Sequence, residues 1–232
     1  ENITGSSFDD ALTGDAGVNT LGGGAGNDVL KGSAGADILI GGSGIDMADY
    51  SGSSAGLYIN LATGVNSGGD AEGDAISGVE NVLGSIYADN ITGNAAANNI
   101  FGDAGDDMIQ GFAGDHTLRG GSDRIYGGEG ADVVDGGEGT DTADYRYSLA
   151  GVAVSLVSNT GTGGDAEGDT LSGIENLAGS EFDDILTGDN NVNRLVGGEG
   201  ADRLYGGGGN DIIFTGGGYD YVDGGSGVDT VS

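Results

Sequence analysis

Asp28, Asp37 and Asp46 stand nine residues apart, and Asp202, Asp211, Asp220 and Asp229 repeat that spacing later in the chain. Each closes a glycine-rich run, such as GGAGND, GSAGAD, GGEGAD or GGGGND. A carboxylate on a fixed period, beside carbonyls that glycine lets crowd together, is a set of hard oxygen donors. Such a set suits calcium, which takes about 6–8 oxygens at about 2.3–2.6 Å. The chain has no cysteine and one histidine, His116, so thiolate and imidazole metals are disfavoured. Nucleophilic catalysis of the Ser/His/Asp kind would rest on His116 alone, and no H-E-x-x-H or P-loop pattern is present. No catalytic set is assigned.

The elements that would position these carboxylates follow from the period. Glycines 5, 14, 23, 32 and 41 open successive nonapeptides, a second block opens at Gly84 and a third at Gly179. The sixth position is mostly Asp, and the eighth is apolar, as in Leu12, Leu21, Leu30, Leu39, Leu186, Leu195, Leu204 and Ile213. One apolar residue in nine cannot form a helix face. It fits a three-residue strand with one inward side chain, followed by a six-residue turn. Strands stack at about 4.8 Å, so sixth-position carboxylates would repel by about 3 kcal/mol at an effective dielectric of 20. A dication between them reverses that sign.

The repeat G-G-x-G-x-D-x-U-x, with U apolar, resembles the RTX or hemolysin-type calcium-binding nonapeptides of secreted bacterial proteins. The resemblance implies a right-handed parallel β-roll, all-β, with two nonapeptides per turn and calcium in rows between stacked turns. It places metal-ligand candidates at Asp10, Asn19, Asp28, Asp37, Asp46, Asp74, Asp89, Asp107, Asp132, Asp141, Asp169, Asp184, Asn193, Asp202, Asp211, Asp220 and Asp229. Pairing repeats two apart gives Asp10 with Asp28, Asn19 with Asp37, Asp28 with Asp46, Asp184 with Asp202, Asn193 with Asp211, Asp202 with Asp220, and Asp211 with Asp229. Such pairing predicts about ten calcium ions, which would reduce the formal charge of −32 to about −12.

A longer period overlies the short one. GIDMADYS at 44–51 recurs as GTDTADYR at 139–146, and GGDAEGD at 68–74 recurs at 163–169. The expected organisation is a roll segment at 1–49, an insertion with restart at 50–83, a roll segment at 84–144, a second insertion with restart at 145–178, and a roll segment at 179–232, together a piece of a larger chain. Each insertion opens with an alternating strand, Leu57, Ile59, Leu61 and Val152, Val154, Leu156, read as an excursion packing against the roll. In the restarts, Asp74 is expected to stack below Asp89 and Asp169 below Asp184. Asp70, Glu72, Asp165 and Glu167 are candidate extra ligands. Phe8, Tyr87 and Phe182, at the fourth position of the first repeats, are expected to cap each stack.

Two departures stand out. The second repeat of every block carries Asn at position six: Asn19, Asn98 and Asn193. Each falls above an EN pair (Glu1, Glu80, Glu175), which reads as tuning of charge at a cation site or as a calcium-free turn. His116 fills the sixth position of GFAGDHTLR, and the next repeat, GGSDRIY, is two residues short. Imidazole is a poor calcium ligand, so weak or empty sites are expected around Asn98, His116 and Asp123, with Asp115 as a stand-in.

Six Lys and Arg against 38 Asp and Glu make nucleic acid and anionic membrane surfaces poor partners. No apolar run reaches 18 residues, so no transmembrane segment is read. The expected function is a calcium-binding structural module of a secreted or cell-surface protein. The resemblance implies type I secretion and folding on extracellular calcium. Two other classes stay open: the accessory, polysaccharide-binding domain of an enzyme, and an adhesin, surface-layer or filament subunit contacting neighbouring copies of itself.

Overall fold

The computed structural model describes residues 1–121 and 123–232. It is all-β, with parallel strands stacked rung upon rung as a β-roll solenoid. The strands are three to six residues long, apart from a final two-residue strand at Thr230–Val231, because each repeat supplies one inward apolar residue between two outward ones. In Val29–Lys31 only Leu30 is fully buried. The glycines that follow turn the chain toward the opposite sheet. Two compact units result, Glu1–Gly111 with Arg119–Gly121, and Phe112–Leu118 with Ser122–Ser232. Their boundary falls in the stretch that holds His116.

In the first unit, strands Asn2–Thr4, Thr20–Ala25, Ile38–Ser43 and Ala75–Ser77 form one parallel sheet. Strands Ala11–Thr13, Val29–Lys31, Met47–Asp49, Asn81–Leu83 and Asn99–Phe101 form a second. Register puts the eighth positions in single file: Leu21 beside Leu39 beside Ile76, and Leu30 beside Ala48 beside Val82 beside Ile100. Each such side chain contributes about 1.5–3 kcal/mol by burial. The second unit repeats the plan, with Ile125, Ala143, Leu177, Leu195 and Ile213 in one file and Leu186, Leu204 and Val222 in another.

The insertions differ from the expected excursions. Tyr58–Asn60 pairs in parallel with Asn90–Thr92 and buries Ile59, so it is a rung of the roll itself. Ala153–Ser155 pairs in the same way with Ile185–Thr187. The chain then doubles back in antiparallel fashion, Tyr58 against Ser67 and Val154 against Gly161, and reaches a short 3-10 turn at Gly69–Ala71 or Gly164–Ala166. It re-enters on the older rung, with Ala75–Ser77 beside Ile38–Ser43 and Thr170–Ser172 beside Val133–Asp135. The expected stacking of Asp74 on Asp89 and of Asp169 on Asp184 is therefore wrong, because the inserted strand takes the place between them.

Candidate metal sites

Sixth-position side chains form hydrogen-bonded ladders. The backbone N–H of Asp10 donates to Asp28 Oδ1, that of Asn19 to Asp37 Oδ1 and that of Asp28 to Asp46 Oδ1, each at 2.8 Å. The second unit gives the same contact from Asp184 to Asp202, Asn193 to Asp211, Asp202 to Asp220 and Asp211 to Asp229, at 2.8–3.0 Å. All seven pairs expected from the spacing are thus adjacent. Asp37 donates to Asp74 Oδ1 at 2.7 Å, and Asp132 to Asp169 Oδ1 at 2.9 Å. Asp89 and Asp184 instead accept from Leu57 and Val152 of the inserted strands.

The ladder uses one carboxylate oxygen and leaves the other. Oδ2 of Asp28, Asp37, Asp46, Asp132, Asp141, Asp202 and Asp211 is buried with no hydrogen-bond partner. These residues are at most 1% exposed. A buried, unpaired carboxylate oxygen is costly, and a cation is its natural complement. The first glycine of each repeat makes the room. A Cβ on Gly197 would meet Asp202 Oδ2 and, at 2.5 Å, the Thr215 carbonyl. At Gly206 it would meet Asp211 Oδ2 and, at 2.5 Å, the Gly224 carbonyl. Among the described residues no three acidic or imidazole side chains converge on one point. The donor set is one or two carboxylates with carbonyls, which is calcium chemistry.

The turns come in two conformations. In one, the second residue has positive φ, as in Gly24 (110°), Gly42 (119°), Gly198 (118°) and Gly207 (96°), and Ser33 adopts it at 67° without being glycine. Its N–H makes no hydrogen bond to the sixth-position Oδ2, which stays bare. In the other, the second residue has negative φ and its N–H closes onto the side chain. Ser6, Ser85 and Ser180 donate to Oδ2 of Asp10, Asp89 and Asp184 at 2.5–2.6 Å, and Asn94 and Asp189 donate to Oδ1 of Asn98 and Asn193 at 2.8 Å. Closed turns occupy the first repeat of every block and the second repeat of the second and third blocks; in the first block the Asn19 amide oxygen accepts instead from the Glu1 terminal ammonium at 3.0 Å.

Protein donors also finish the ladders. The Tyr50 hydroxyl donates to Asp74 Oδ2 at 2.7 Å and the Tyr145 hydroxyl to Asp169 Oδ2 at 2.9 Å. Glu80 and Glu175 take the N–H groups of Asp46 and Asp141 through Oε2, each at 2.9 Å. Sequence reasoning missed the serines, tyrosines and glutamates as parts of the ladder. The signal for the tyrosines was available in GIDMADYS and GTDTADYR, and that for the glutamates and two of the serines in GVENVLGS at 78–85 and GIENLAGS at 173–180.

Burial sets the electrostatics. It raises Asp132 to about 7, with Asp169, Asp115 and Asp165 adding to the shift. Asp107, Asp141 and Asp202 rise to about 6 for the same first cause, as do Asp74 and Asp169 despite their tyrosine donors. Burial and the neighbouring carboxylates raise both tyrosines far above their ordinary value, so they stay protonated donors.

The remaining candidates fall out differently. Asn98 and Asn193 meet the EN pair through its backbone, Nδ2 donating to the carbonyls of Glu80 and Glu175 at 2.8 Å. Asn19 Nδ2 donates to the Asp15 carbonyl at 2.9 Å, and to that of Gly17. The glutamate carboxylates face the rung below, so charge tuning of the Asn turns finds no support in these contacts. His116 is buried, donates its N–H to Asp132 Oδ1 at 2.8 Å, and has its imidazole lowered by desolvation against a backbone hydrogen bond with Ala113. Asp115 accepts from Ala131 at 3.1 Å, as Asp183 does from Ala201, which is a register contact. Glu72 and Glu167 close the 3-10 turns by accepting from Gly68 and Gly163. Phe8, Tyr87 and Phe182 are exposed, Phe8 most of all.

A family model described as the RTX calcium-binding nonapeptide repeat (4 copies) matches residues 1–30, 13–48, 75–109, 83–118, 118–143, 169–204, 187–222 and 196–231. These matches cover more than half of the chain and skip the two antiparallel insertions. No curated protein matches the chain.

Proposed function

Because the chain belongs to the family of RTX calcium-binding nonapeptide repeats, we propose that it is a calcium-stabilised structural module of a secreted or cell-surface bacterial protein. The observation that carries this reading is the row of bare, buried Oδ2 atoms on Asp28, Asp37, Asp46, Asp132, Asp141, Asp202 and Asp211. With the carbonyls of the stacked turns they are the ligands, joined by Asp107 and by Asp220 and Asp229. Calcium supplies the positive charge that lets these carboxylates stack. Among the described residues no helix is long and apolar enough to cross a membrane. The family's repeats support release by type I secretion, unfolded where calcium is scarce, and folding outside.

Extracellular calcium modules bind at about 10⁻⁴–10⁻³ M, and binding to the native state alone stabilises it by mass action. The bare carboxylates give the apo chain a reason to stay unfolded near neutral pH. Circular dichroism during a calcium titration tests the reading. The β signal should be small in chelator and rise over millimolar calcium. A full β signal in excess chelator would overturn it.

A further inference from the structure

We propose that the closed turns at the start of each block exclude calcium and act as calcium-independent caps. This rests on the calcium reading above and divides the ladder into rungs that take a cation and rungs that refuse one.

The division is visible one turn apart. Asp184 Oδ1 accepts from Val152 N–H at 2.7 Å and from the Ser180 hydroxyl at 2.9 Å, while Oδ2 accepts from Ser180 N–H at 2.6 Å. Asp89 repeats this with Leu57 and Ser85. Three protein donors take most of each carboxylate's acceptor sites and share its negative charge. A cation at Oδ2 would compete with a buried N–H, whose loss would leave it unsatisfied. Asp202, stacked on Asp184, accepts one backbone N–H at Oδ1 and nothing at Oδ2.

The asparagines go further. The Asn193 amide oxygen holds Asp189 N–H, and its Nδ2 donates to the Glu175 carbonyl. Asn98 does the same with Asn94 and Glu80. The amide orientation is fixed by these partners, since only the oxygen accepts and only the nitrogen donates. A side-chain N–H therefore occupies a carbonyl that a cation would otherwise use. The feature that separates the states is the φ of the second residue: positive φ, at glycine or at Ser33 and Asp103, opens the turn, and Ser, Asn or Asp at negative φ closes it. In consequence Asp10, Asp89, Asp184 and Asn193 leave the ligand set.

Calcium stoichiometry by native mass spectrometry and isothermal titration separates the two claims. Asp202→Asn should lose at least one ion relative to the parent chain, and Asp184→Asn should keep the parent count. Loss of an ion from Asp184→Asn equal to that from Asp202→Asn overturns the cap proposal. A parent chain that binds no calcium overturns the calcium reading instead. Hydrogen exchange of the calcium-saturated parent chain guards against a variant that fails to fold. The amides of Ser180 and Asp189 should exchange at least about tenfold more slowly than that of Gly207. Equal exchange overturns the proposal.

Discussion

Tyr50 donates its hydroxyl proton to Asp74 Oδ2 across 2.7 Å, with both side chains buried. Ninety-five residues later Tyr145 meets Asp169 in the same way at 2.9 Å. A proton stands where the next rung down leaves a carboxylate oxygen bare. Tyr50→Phe and Tyr145→Phe should therefore each destabilise the calcium-saturated chain by about 1–3 kcal/mol, the cost of an orphaned buried acceptor. Urea unfolding in saturating calcium measures this. A loss below about 0.5 kcal/mol would assign the tyrosines a packing role only.

Proton binding should partly replace calcium. Asp132 at about 7 and Asp202 at about 6 lie above their ordinary 3.8, chiefly through burial. A carboxyl whose folded value is raised favours the fold when protonated. That stabilisation is full below the unfolded value and is lost as pH rises through about 6–7. The calcium-free chain should gain β structure on acidification from about pH 8 to about pH 5, and apparent calcium affinity should fall across the same window. Calcium-free β signal that declines on acidification would contradict the assignment.

The first glycine of an open turn should be intolerant of a side chain. At Gly206 a methyl group would press on Asp211 Oδ2 and on the Gly224 carbonyl at 2.5 Å. Gly206→Ala should weaken calcium binding by about tenfold or more, equivalent to about 1.4 kcal/mol. Titration calorimetry reads this directly, and an unchanged affinity would place the cation elsewhere.

The apolar file should dominate stability. Leu204 is fully buried between Leu186 and Val222. Leu204→Ala should cost about 2–5 kcal/mol. Its outward neighbour Arg203 should tolerate alanine within about 0.5 kcal/mol. Equal costs at the two positions would contradict the one-in, two-out strand.

Much of this was legible in the sequence because the nonapeptide maps one residue to one task. Leu30 and Leu204 announced the core by spacing, and Asp28, Asp46, Asp202 and Asp211 announced the ladder. The path of the insertions was not legible. Leu57–Ile59 reads as a strand on any account, but only its pairing with Asn90–Thr92 shows that it displaces Asp74 from beneath Asp89. Nor does an aspartate reveal whether its second oxygen is free. Asp184 and Asp202 occupy the same repeat position. The difference lies in the φ of Ser180 and Gly198, a backbone choice that the sixth residue does not encode and the second encodes only where it is glycine, since Ser33 is open at φ 67° and Ser180 is closed.

Calcium anomalous scattering from crystals grown in the ion tests the central claim most directly. Peaks should lie about 2.3–2.6 Å from Oδ2 of Asp28, Asp46, Asp202 and Asp211, at ordinary calcium–oxygen distance. Ordered water or no density at those four oxygens, in crystals holding calcium elsewhere, would contradict it.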